Sequence, residues 1–63
     1  MKLKFKHDDV ICVELSQHEL IVINNALNEI CNGISIPHFE TRIGASVLEV
    51  EELLRDVTRI IDT

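Results

Sequence analysis

The chain has 63 residues, 46% of them apolar but only Phe5 and Phe39 aromatic, and a net charge of −5. That length makes one domain, residues 1–63, and the apolar share argues for a packed core and against disorder. The acidic balance and the absence of Tyr and Trp exclude the usual footprint of a nucleic-acid binder, which sets cations against phosphate and rings against bases.

The charge is unevenly spread. Lys2, Lys4 and Lys6 are the only lysines, and every carboxylate follows them, opposed by Arg42, Arg55 and Arg59 alone. The partner this implies is a basic protein, not nucleic acid or an anionic membrane surface. No stretch approaches the roughly 20 apolar residues that span a bilayer. No apolar run follows the lysines as a secretory signal requires. The expectation is a cytoplasmic protein whose two cysteines are reduced.

Residues 1–15 alternate like two half-buried strands around a turn at His7-Asp8-Asp9. A three-residue loop there pairs Phe5 with Ile11, Leu3 with Val13 and Met1 with Leu15, and sets Lys2 opposite Glu14. A two-residue loop at Asp8-Asp9 would place Phe5 opposite Cys12 and Lys4 opposite Val13, mixing the faces, so the longer loop is expected. Strand two, Val10-Ile11-Cys12-Val13, is apolar on both faces, and something should therefore cover it.

Ser16-Gln17-His18-Glu19 is a capping box, with Leu15 and Leu20 placed as a hydrophobic staple. Leu20, Ile23, Leu27, Ile30 and Ile34 follow the helical period, Ala26 and Cys31 flank them, and Asn32-Gly33 supplies a stop. Pro37 then opens a brief helix through Ile43, closed by Gly44. Ser46 and Glu49 form a second capping box. The last helix carries Val50, Leu53, Leu54, Val57, Ile60 and Ile61 on its inner side. Its outer side has Glu49, Glu51, Glu52, Arg55, Asp56, Arg59 and Asp62, with Glu51 and Arg55 spaced for an i,i+4 pair. The fold class is α+β: an N-terminal β-hairpin, then two longer helices separated by a short one, in the order ββααα.

Chemistry finds no anchor in this pattern. Cys12, Cys31, His7, His18 and His38 show none of the paired spacings of a metal site, and no nucleophile has a base with an orienting group. No enzyme activity, cofactor or metal is therefore expected. Phe39–Leu54 has the outline of a helix-turn-helix, but Glu49, Glu51 and Glu52 stand where phosphate would have to approach. A small regulator of that kind is the alternative reading. Protein binding is the main one, with Glu40, Glu49, Glu51, Glu52 and Asp56 as candidate partner-binding residues. The unpaired hairpin edge offers a second route, to a homodimer or an added partner strand.

The segments Ala26-Leu27-Asn28-Glu29-Ile30-Cys31-Asn32-Gly33 and Phe39-Glu40-Thr41-Arg42-Ile43-Gly44 resemble those of small bacterial immunity-type proteins from polymorphic or contact-dependent growth-inhibition toxin systems. The resemblance extends over most of the chain. It implies a cytoplasmic, non-enzymatic inhibitor that neutralises one toxin domain by blocking its active site or substrate groove. A nuclease-type toxin with a basic groove would suit so acidic a protein.

Overall fold

The computed structural model describes all of residues 1–63. Strands β1 (Lys2–His7) and β2 (Val10–Glu14) form an antiparallel two-stranded sheet. Helix α1 (Gln17–Asn28) follows and runs on as a π-helical turn, Glu29–Gly33. The short α2 (Phe39–Ile43) and the long α3 (Val47–Ile61) complete the chain. This is the expected α+β order, ββααα.

The hairpin register corrects the sequence reading near the loop and agrees with it at the open end. Lys2 pairs with Glu14 and Leu3 with Val13, as expected, but Phe5 pairs with Cys12, Lys6 with Ile11 and His7 with Val10. The loop is therefore the two residues Asp8-Asp9. The surplus residue is absorbed by a bulge between Leu3 and Phe5, which resets the alternation of faces. Asp8 has φ 52°, the left-handed first loop position for which hairpins usually recruit glycine. Paired residues share a face. Leu3, Lys6, Ile11 and Val13 therefore lie on one side of the sheet, and Phe5, Val10 and Cys12 on the other with Lys2, His7 and Glu14. The cross-strand ion pair is made by the bulged Lys4, whose Nζ lies 2.9 Å from Glu14 Oε1, rather than by Lys2.

Both capping boxes form. Ser16 Oγ accepts from the Glu19 amide at 3.0 Å and Glu19 Oε1 from the Ser16 amide at 2.9 Å. At α3 the matching distances for Ser46 and Glu49 are 3.2 and 3.1 Å. The α1 end is wider than expected: the Ile34 amide donates to the Glu29 carbonyl at 3.1 Å, an i→i+5 bond. Ile34 is extended and 55% exposed, so it leaves the helical stripe assigned to it. Pro37 stays outside α2. His38 caps that helix in the left-handed region at φ 54°, and Gly44 closes it at φ 89°.

The two glycines make opposite predictions. A Cβ on Gly44 would meet no atom within 4 Å, yet its φ disfavours any L side chain, so Gly44→Ala should cost about 1 kcal/mol. At Gly33 the three atoms nearest a Cβ would all belong to the Glu29 carboxyl group. That flexible side chain can swing into water, so Gly33→Ala should be neutral or stabilise by up to about 1 kcal/mol. Denaturant midpoints of the two variants should move in different directions, or Gly33→Ala should not move at all.

Helix α1 packs on α3, and Asn24 Nδ2 donates to Thr58 Oγ1 at 2.8 Å across that contact. Asn24 therefore belongs to the interface although it is polar. Val50 and Val57 are the only buried residues, with Leu54 and Ile61 half-buried beside them. Leu53 and Ile60, expected in the core, are 51% and 60% exposed. Cys31, flanking the α1 stripe, is half-buried. The hairpin makes no extended packing with either long helix. Strand β2 is thus flanked by β1 alone, without the cover its sequence called for. The radius of gyration is 13.0 Å, against about 10.6 Å for a compact chain of this length.

Candidate partner-binding surface

Successive α-helical residues turn by about 100°, which sorts the carboxylates proposed for partner binding. Glu49, Glu52 and Asp56 fall within about 60° of one another on α3 and form one stripe. Glu51 lies about 100° beyond Glu52 and is half-buried, so it does not belong to that stripe. Glu40 is exposed in the first turn of α2, which makes no extended packing with α3. The five residues therefore do not share one face; three of them do.

Exposed apolar side chains border the stripe. Leu53 and Ile60 adjoin Glu49 and Asp56 on one flank, and Leu48, 72% exposed, stands on the other beside Glu52. Leu48, Leu53 and Ile60 were not singled out for binding in the sequence. For Leu53 and Ile60 the signal was the mismatch between a wide apolar stripe and a domain with only one long helix to pack against it; Leu48 lies outside that stripe.

The three carboxylates differ in how free they are. Glu49 is engaged by the Ser46 backbone in the capping box. Asp56 Oδ1 accepts from Arg59 Nη1 at 3.3 Å in an exposed pair, a contact of little energy in water. The expected Glu51–Arg55 pair is not made. Glu52 has no hydrogen-bond or ion-pair partner within the chain, which leaves it the charge most open to a second molecule.

One carboxylate elsewhere is perturbed. The Met1 amine hydrogen-bonds to Glu19, and with the Ser16 amide this holds the Glu19 carboxyl down at about 2, from an ordinary 4.5. A lowered folded-state value means stability that is present above the ordinary value and lost as pH falls toward 2. The stability difference between the wild type and Glu19→Gln should accordingly be full at pH 7 and vanish near pH 2. A difference that persists unchanged at pH 2 would show that the charge does not carry it.

No three His, Cys, Asp or Glu side chains converge as a metal site would require, and the surface has no cavity. Cys12 and Cys31 are free thiols. No helix is long and apolar enough to cross a membrane. No protein-family model, curated protein or solved structure matches the chain.

Proposed function

We propose that this chain is a non-enzymatic, cytoplasmic protein-binding module that neutralises a basic toxin domain by docking on it through α3. The observation that carries this is the stripe of Glu49, Glu52 and Asp56 bordered by the exposed Leu48, Leu53 and Ile60. The carboxylates along the middle of this surface would steer encounter and choose the partner, and the exposed apolar side chains on its two flanks would add buried apolar area. The resemblance to immunity-type proteins points the same way, and a nuclease-type toxin would present the complementary cationic groove.

The test is co-expression with the product of the adjacent upstream reading frame. Protection of growth and a stable complex are expected; a neighbour that is neither toxic nor bound counts against the proposal. A helix-turn-helix regulator would need cations in the first turns of α3, where this chain has Glu49, Glu51 and Glu52. Titration with duplex DNA at low salt should be flat, and salt-sensitive, sequence-selective binding would replace the inhibitor reading with the regulatory one.

A further inference from the structure

We propose that two copies of this chain associate through β2, pairing antiparallel about a two-fold axis at Cys12 to make a four-stranded sheet. The first ground is area. A compact monomer of 7.2 kDa exposes about 4,100 Å², whereas this chain exposes 5148 Å². The excess of roughly 1,000 Å² is spread over the whole chain, α3 included, and is large enough to contain the ~800 Å² that a standard interface removes from each partner. The second ground is the hairpin itself. Two strands without a covering layer are marginal in water, and three or more are needed for independent stability. Here the hairpin lacks support from its own helices, while Val10, Ile11 and Val13 are 58%, 57% and 39% exposed.

The choice of edge follows from charge. The outer edge belongs to β1, where Lys2, Lys4 and Lys6 oppose addition of a further strand. Strand β2 has no charge between Asp9 and Glu14. A sheet in the order β1-β2-β2-β1 would hide both apolar edges and leave lysine-bearing strands outside, so growth stops at two copies.

The register follows from symmetry. Adjacent antiparallel strands related by a two-fold axis keep each residue on its own face, so the axis must pass through a residue of β2. An axis at Ile11 would set Asp8 against Glu14 of the second copy, a like-charge pair. An axis at Val13 would carry the pairing past Leu15 into the Ser16 cap of α1. At Cys12, the middle of the five-residue strand, all of Val10–Glu14 is paired and Ile11 faces Val13 of the second copy. The two Cys12 Cα atoms then stand about 4.5–5.5 Å apart, within disulfide reach.

That geometry can be read in the isolated chain, without any toxin, so its failure leaves the α3 proposal standing. Sedimentation equilibrium should give twice 7.2 kDa. In a Cys31→Ser background, diamide, which takes up the two thiol protons and two electrons, should convert the protein to a reducible covalent dimer. Cys12→Ser should give none. Ile11→Lys and Val13→Lys should each raise the dissociation constant at least about thirtyfold. A wild-type monomer at about 100 µM overturns the proposal. So does a dimer whose affinity neither lysine variant changes, or one that Cys12 does not cross-link.

Discussion

Val57→Ala is expected to cost about 2 kcal/mol, the transfer of two buried methyl groups plus the small cavity they leave. In most domains that loss would be tolerated. Here Val50 and Val57 are the only buried residues, and a chain of this length has about 3–9 kcal/mol of total stability. Val57→Ala should therefore remove between about a fifth and two thirds of that total and lower the urea midpoint in the same proportion. Val22→Ala, on the exposed side of α1, should change it by less than about 0.5 kcal/mol. Equal effects of the two substitutions would mean that the contact between α1 and α3 does not hold the chain together.

The second large effect concerns binding. The double variant Glu52→Lys/Asp56→Lys places two cations in the stripe that is proposed to meet a basic surface. Opposing like charges should weaken the complex with the adjacent frame's toxin about a hundredfold or more. The wild-type affinity should fall with added salt, and that of the double variant should not. Folding should be little altered, because Glu52 has no internal partner and the Asp56–Arg59 contact is exposed. Glu51→Lys is the informative control, lying outside the stripe, and should leave binding near wild type. Calorimetry that finds the double variant binding like the wild type would remove this face from the interface.

What the sequence disclosed depended on how local the signal was. Both capping boxes were legible because Ser16–Glu19 and Ser46–Glu49 complete their hydrogen bonds within four residues. The outer hairpin register was legible too, since Leu3 opposite Val13 follows from apolar matching. The loop was not, because a two-residue turn with a bulge at Lys4 reaches that outer register as well as a three-residue turn does. Nothing in the residue types separates the two. The inner stripe of α3 was overcounted for a different reason. Periodicity reports which residues could be covered, whereas α1 is one helix wide and covers only the arc of Val50, Leu54, Val57 and Ile61. The candidate site was legible in part: helical spacing alone would have grouped Glu49, Glu52 and Asp56 and separated Glu51, but the exposure of Leu53 and Ile60 needed the packing.

The separation between the hairpin and the helical pair has a consequence for how this chain can change. Elements that share few contacts open independently, so amide exchange of the dilute, monomeric chain should resolve two tiers, a fast hairpin and a slower α1–α3 pair. Substitutions in β2 and in α3 should then combine additively, without the coupling seen between packed neighbours. The edge proposed for self-association and the stripe proposed for a partner can each accumulate substitutions without disturbing the other, leaving partner choice free to drift while the sheet edge is held.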